Sequence, residues 1–329
     1  MEKCCFGAIN DRKITISNFM SEALGTIGSY MLLEKIATGG MAEIFKAKTQ
    51  GARGFEKIVA IKKILPEFTS DKAFIDMLTD EAKIAVRMNH ANLVQVFDLG
   101  EHDRVPFLVM EFVEGMDLKS IIKLLKKREG SIPISAAIYI VMEVLNGLDF
   151  AHSMRDNEGN LLNIVHRDIS PGNVLISSSG DVKIIDFGIA KSKGRMTQTQ
   201  IGSVKGKFRY MSPEQAAGKN VDARTDIFAA SLVLYEILVS QRVYDGYKLD
   251  DLLSAVAIAD IPSMKKFNSA VPDDIEAIFK KATTAQLSDR YTSAKEFLLA
   301  LHHLPYSINP IEIKTYLGTL VKHLRGEGA

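Results

Sequence analysis

Asn173-Val174-Leu175-Ile176-Ser177-Ser178-Ser179-Gly180-Asp181-Val182-Lys183-Ile184-Ile185-Asp186 is two short apolar runs around a Ser-Gly-Asp turn. The pattern predicts a β-hairpin: the turn residues tolerate a tight reversal and the branched residues on either side suit paired strands. In an antiparallel hairpin the first residue of one strand faces the last of the other. Asn173 and Asp186 are nearly symmetric about Ser179 and Gly180, so an amide oxygen and a carboxylate should meet at the open end. Such an all-oxygen pair suits Mg²⁺, which keeps several waters and takes further ligands from phosphates. Asp168 follows an apolar run that ends at Val165 and stands where a base beside that metal would. Taken singly, each of the three reads more readily as a turn residue or a cap. Their shared geometry is what makes a site.

Upstream, two charged residues fall where apolar ones belong. Strict alternation puts Ile58, Ala60, Lys62 and Ile64 on one face of a strand. In the amphipathic stretch 71–89 the inward stripe reads Phe74, Leu78, Glu81, Ile84 and Met88. A buried carboxylate needs a cation, and Lys62 and Glu81 are each other's obvious partner. Ahead of them, Ala37-Thr38-Gly39-Gly40-Met41-Ala42 lies between β-like runs, and small residues there would let a hairpin backbone close over phosphates. A tight turn needs the same glycines. The stretch is neither a Walker A motif nor a dinucleotide fingerprint, since no Gly-Lys-Ser/Thr ending occurs and strands follow it.

The whole chain frames these residues. Its 329 residues, 47% hydrophobic and 25% charged, describe a globular protein of about two domains. Forty-one Lys plus Arg against forty Asp plus Glu leave a net charge of +1, which argues against a general nucleic-acid binder. Cys4 and Cys5, the two cysteines, make neither a disulfide framework nor a four-ligand metal site. The best membrane candidate, 227–239, is interrupted by Ser231 and Glu236 and reads as a buried helix. No membrane span and no secretion signal is expected, and the expected compartment is cytoplasmic.

Hydrophobic period divides the chain. Residues 29–112 carry short β-rich runs and one helix, 113–304 turn helical, and a hinge at 111–115 places a ligand cleft between them. Asn309-Pro310-Ile311-Glu312 opens a last amphipathic helix within 305–329, with Ile313, Leu317, Leu320 and Leu324 facing the larger unit. Residues 1–28 show no useful rhythm and read as an N-terminal extension. Met20 starts a more ordinary opening than Met1, so 1–19 are expected to lie outside the protein.

Over 29–304 these motifs, in this order, resemble the protein kinases of the bacterial, eukaryotic-like serine/threonine type. The resemblance implies an α+β, two-lobed fold and transfer of the γ-phosphoryl of ATP, with Mg²⁺, to Ser/Thr hydroxyls of protein substrates. It implies that Lys62 of Val59-Ala60-Ile61-Lys62 holds the phosphates and Glu81 pairs with it. Met110 would back the adenine pocket, and Glu111 to Val113 would bond the base through the hinge backbone. Ala37, Thr38, Gly39, Gly40, Ala42, Ile44 and Ala60 complete the nucleotide site. Asp168 would accept or orient the substrate proton, Asn173 and Asp186 would hold the metal, Arg290 would pair with Glu214, and Asp226 would anchor the catalytic loop.

Departures from the pattern matter as much. Ala37 and Ala42 replace two glycines of the phosphate-covering loop, and Ser170 replaces a lysine that usually steadies the transferring group. Lys207 stands in a usual threonine position, so the two are expected to have exchanged roles, Lys207 reaching toward Asp168 and Ser170 supplying the hydroxyl. Residues 189–211 carry six Lys or Arg and no Asp or Glu. Phosphorylation at Thr197 or Thr199, read by Arg167, is expected to order that loop; recruitment of an acidic partner is the other use of its charge. The competing class is a pseudokinase scaffold that binds nucleotide without transferring phosphate.

Overall fold

A computed structural model describes residues 24–50, 54, 56–187 and 208–327. Six antiparallel strands form the smaller lobe: β1 (Gly25–Ile27), β2 (Tyr30–Thr38), β3 (Ala42–Gln50), β4 (Glu56–Ile64), β5 (Val96–His102) and β6 (Val105–Glu111), in the order β1-β2-β3-β4-β6-β5. Alternation gives the sheet two apolar faces. Phe45, Ala47, Val59, Ile61, Phe107 and Val109 fill one. Ala42, Ala60, Ile64, Leu108 and Met110 line the other, against helix α1 (Lys72–Arg87). Lys62 belongs to that second face, opposite Ile44 and Leu108. The sheet begins at Gly25, inside the stretch read as an extension, because Ile27 pairs with Tyr30 and is buried. Residues 1–23 lie outside the described residues.

Asp71 caps α1 by accepting from the Phe74 amide. The buried line of this helix is Leu78, Ala82 and Ala85, while Phe74, Glu81 and Ile84 are half-buried beside it. Met88, the last member of the expected stripe, is buried like Leu78; between them the stripe shifts, because alanines, small enough to approach the sheet, take the closest contact.

The larger lobe is built on α3 (Ile134–His152) and α5 (Arg224–Val239), whose side chains are buried nearly all round. In α3, 19 residues long, Ile138, Met142, Leu145 and Leu148 are fully or nearly fully buried. By length and composition this helix could cross a bilayer, a point the sequence reading passed over, but 67% of its apolar window is buried in the core. Around the pair stand α2 (Leu118–Lys127), α4 (Pro213–Ala216), α6 (Leu249–Ala257), α7 (Asp273–Ala282) and α8 (Ala294–His302). Strands β7 (Gly115–Asp117), β8 (Val174–Ser177) and β9 (Val182–Ile184) form a second small sheet at the junction of the lobes.

The last helix, α9 (Pro310–Arg325), starts at Asn309, whose side chain accepts from the Ile311 amide. It buries Ile313, Leu317, Val321 and Leu324. It also grips the β8–β9 turn: Lys314 pairs with Asp181 at 2.8 Å, and Arg325 donates to Ser178 at 3.2 Å and lies 3.7 Å from Glu114. Two glycines permit the approach. A Cβ on Gly180, which has φ +86°, would sit 1.9 Å from the Lys314 carbonyl oxygen, and one on Gly318 would sit 2.8 Å from that of Ser178. Gly180→Ala therefore meets both a left-handed backbone and a backbone clash. It should destabilise by about 2 kcal/mol or more, seen as faster amide exchange through 310–325 and a lower melting temperature; an unchanged melting temperature would contradict this packing.

Candidate active site

The hairpin β2–β3 closes through Gly39, whose amide donates to the Ala42 carbonyl at 2.8 Å. Ala37 and Thr38 pair with Ile44 and Glu43, and Thr38, Gly39 and Gly40 are exposed at the turn. Ala42 and Ala60 are buried under it. Met110 pairs with Ala60 and lies with Ala85, Val96, Leu108, Ile184 and Phe187 around a small cavity at the back of the cleft. Glu111, Phe112 and Val113 lead from β6 to the larger lobe, and the Glu111 carboxylate takes the Lys183 ammonium at 3.0 Å. The sequence reading had assigned Lys183 no role.

The Lys62 ammonium donates to Asp186 at 2.5 Å. Among the described contacts its partner is thus Asp186 and not Glu81, which the sequence reading paired with it. Glu81 stands half-buried on α1 at the edge of the same apolar face. Strand alternation places Lys62 on the cleft side, but the choice between two carboxylates depends on how α1 and the hairpin sit.

Below the cleft, Asp226 organises the loop that carries Asp168. Its carboxylate, fully buried on the first turn of α5, accepts the His166 amide at 2.7 Å, the Arg167 amide at 2.8 Å and His152 Nε2 at 2.8 Å. Burial alone would push this carboxyl up; the bonds from His152 and the loop backbone outweigh it and hold the group below its usual range. His152 was not anticipated. His166 Nε2 donates to the Ile185 carbonyl at 3.0 Å, so its Nδ1 is the acceptor that takes the Asp168 amide at 3.2 Å. Phe187 lies edge-on to the His166 ring, with 4.7 Å between centroids.

The hairpin then brings its ends together. Val174 pairs with Ile184, and the Ile185 amide donates to the Asn173 carbonyl at 3.0 Å. Asn173 therefore faces Ile185, one residue short of the expected symmetry. Asp186 leaves the ladder with φ +55° and turns toward Lys62. The Asn173 amide nitrogen donates to the Asp168 carbonyl at 2.8 Å and to its carboxylate at 3.2 Å. That commits the nitrogen and leaves the amide oxygen for another partner. An amide oxygen beside a carboxylate is a donor set that fits Mg²⁺. Ser170, half-buried and extended, precedes the turn at Pro171–Asn173. Lys207, Thr197 and Thr199 lie outside the described residues, as does the basic loop from 189 to 207; of its remaining residues Arg209 is buried, donating to the Tyr244 carbonyl and lying 3.2 Å from Asp245.

Behind the site, Arg290 donates to both oxygens of Glu214, at 2.9 and 3.3 Å, with both side chains buried. Tyr210 donates to Glu236, whose carboxyl burial pushes above its ordinary value.

Lys62, Asp168, Asn173 and Asp186 thus come together at the cleft of a two-lobed fold. The protein kinase domain model matches residues 30–303, and the chain belongs to that family. It is 39% identical to the tyrosine-protein kinase MasK of Myxococcus xanthus over 302 residues, 92% of this chain and 44% of that protein. It is 37% identical to the probable serine/threonine-protein kinase PknB of Lactococcus lactis, over 82% of this chain and 41% of that one. The chain thus spans less than half the length of these curated relatives. The PknI kinase domain of Mycobacterium tuberculosis shares the fold, with a TM-score of 0.64 at 24% identity over 86% of this chain and 98% of the other.

Proposed function

We propose that this chain transfers the γ-phosphoryl group of Mg-ATP to serine and threonine hydroxyls of proteins. The observation that carries the reading is the convergence of Lys62, Asp168, Asn173 and Asp186, drawn from both lobes, around one cleft. Lys62 orients the phosphates from above. Asn173 and Asp186 would hold the metal, which neutralises phosphate charge when bound. Asp168, fixed by His166 and Asn173, takes or orients the proton of the attacking hydroxyl. Ser170 and Lys207 act as an exchanged hydroxyl and cation, and phosphorylation of Thr197 or Thr199 orders the loop through Arg167.

A second reading, transfer to tyrosine, is favoured by one observation: a relative at 39% identity carries that name. Incubation of the chain with γ-labelled ATP, followed by phosphoamino-acid analysis, separates the readings. Label in phosphoserine and phosphothreonine is expected, lost in Asp186→Ala and reduced in Lys207→Met. Label confined to phosphotyrosine would support the second reading. Nucleotide binding with no label would leave the scaffold.

A further inference from the structure

Helix α2 has an unusual charge layout. Lys119, Lys123, Lys126 and Lys127 lie on it, Arg128 caps its C-terminus, and no carboxylate occurs from Leu118 to Arg128. Its apolar face, Leu118, Ile121 and Ile122, is buried in the lobe, which leaves all four lysines exposed. The three cations at the C-terminal end complement the helix dipole and need no other explanation. Lys119 does, because it is the second residue of the helix, where the dipole favours an anion. Among the described residues neither Lys119 nor Lys123 forms an ion pair.

Lys119 is also the cation of this helix that reaches the catalytic loop. A Cβ built on Gly172 would lie 4.0 Å from Lys119 Cδ and 3.9 Å from Ser170 Oγ. Both are ordinary contact distances, and Gly172 has no left-handed φ, so the backbone does not require glycine there. The missing side chain leaves a gap open between Lys119 and Ser170, two residues from Asp168. Glu236, a buried acid within electrostatic reach of Lys119, is already engaged: it accepts from Tyr210 and lies 3.9 Å from Arg242.

We infer that Lys119, with Lys123 behind it, forms an anion subsite at the lip of the cleft that selects protein substrates carrying aspartate or glutamate near the acceptor hydroxyl. The inference rests on the kinase reading and deepens it. Lys119 and Lys123 are one helical turn apart, about 6 Å along the axis. Alternate residues of an extended peptide are separated by about 6.6 Å and point the same way. A Glu-X-Glu pattern on one side of the acceptor therefore matches the spacing of the two lysine positions along the helix.

The test uses the full chain and peptides in which a serine is flanked, on either side, by Glu-X-Glu or Gln-X-Gln. At low salt the Glu-X-Glu peptide on one side should have kcat/KM about three- to tenfold higher than its Gln-X-Gln counterpart, the size expected of two exposed pairs. The gain should lie in KM and shrink near 0.5 M salt, where the screening length is only a few ångströms (~4 Å). Lys119→Glu should bring the ratio to about one while leaving the rate on the Gln-X-Gln peptide unchanged; glutamate at that helix position suits the dipole, so the variant should fold. Equal kcat/KM for both peptides in the unaltered chain, or a preference that survives Lys119→Glu with Lys123→Glu, would overturn the subsite. So would phosphatidylserine vesicles that bind the unaltered chain and not the double variant, in the absence of any peptide preference. Transfer to neutral peptides without acid preference sinks the subsite alone, whereas no transfer to any peptide sinks the kinase reading and the subsite with it.

Discussion

Asp168→Asn should lower kcat for phosphoryl transfer by about 10²- to 10⁴-fold, the range for loss of a positioned general base. The fold should survive. Asparagine keeps the side-chain shape, its carbonyl oxygen can still accept from Asn173 Nδ2, and the backbone bonds that set this residue, from its amide to His166 Nδ1 and from Asn173 Nδ2 to its carbonyl, do not involve the carboxylate. What disappears is an anion able to take or orient a proton. KM for ATP should stay within about twofold, because a group that acts only in the transition state changes kcat without changing ground-state binding. Initial-rate kinetics with a protein acceptor, beside a thermal melt of both proteins, check the two halves. A variant with more than a tenth of normal activity would mean that Asp168 is not the base. A lowered melting temperature would mean that its carboxylate holds the loop together.

Side-chain period and turn chemistry made much of this site legible in the sequence, and their failures share one cause. The hairpin at 174–184 could be read because alternation and a Ser-Gly-Asp turn are local signals. The offset that puts Asn173 opposite Ile185 could not, since it depends on Asp186 adopting φ +55° and abandoning the ladder for Lys62. Lys62 and Glu81 each stood out as charges among hydrophobes. Their pairing was an inference about how two elements meet, and the described contacts give the lysine to Asp186. His152 was invisible because its partner, Asp226, is 74 residues away and nothing near either residue marks the bond. Helix α2 was within reach. Leu118, Ile121, Ile122 and Leu125 follow helical spacing after an Asp117 cap, but ten residues rich in lysine make a weak signal beside α3. Contacts made along the chain were readable; contacts made across it mostly were not.

Arg290→Ala should produce the largest loss of stability, about 3–5 kcal/mol, as expected when one partner of a buried ion pair is removed. Arg290 is 1% exposed and Glu214 5%. The guanidinium donates to both Glu214 oxygens and to the carbonyls of Thr284 and Arg224, so truncation leaves a buried carboxylate and two buried carbonyls without it. The Thr225 hydroxyl still donates to Glu214 at 2.8 Å, too little to replace a charge. At about 2–3 °C per kcal/mol for a chain of this size, the melting temperature should fall by roughly 6–15 °C. The pH dependence carries a sign that mere loss of packing would not. Burial pushes the Glu214 carboxyl up, the Arg290 bonds outweigh it, and the net position is below the ordinary value. The pair therefore stabilises the fold above the unfolded carboxylate range, and that contribution fades as pH falls through the depressed folded value. Without Arg290 burial acts unopposed and the carboxyl moves up, so the variant recovers part of its loss by protonation in mild acid. The gap between the two proteins should narrow from pH 7 to about pH 4.5, within the range where carboxylates titrate. Glu214→Gln with Arg290→Met, which removes both charges and keeps volume, should be more stable than Arg290→Ala alone. Urea unfolding of the proteins at both pH values decides it: a gap independent of pH would assign the loss to packing instead of to a stranded charge.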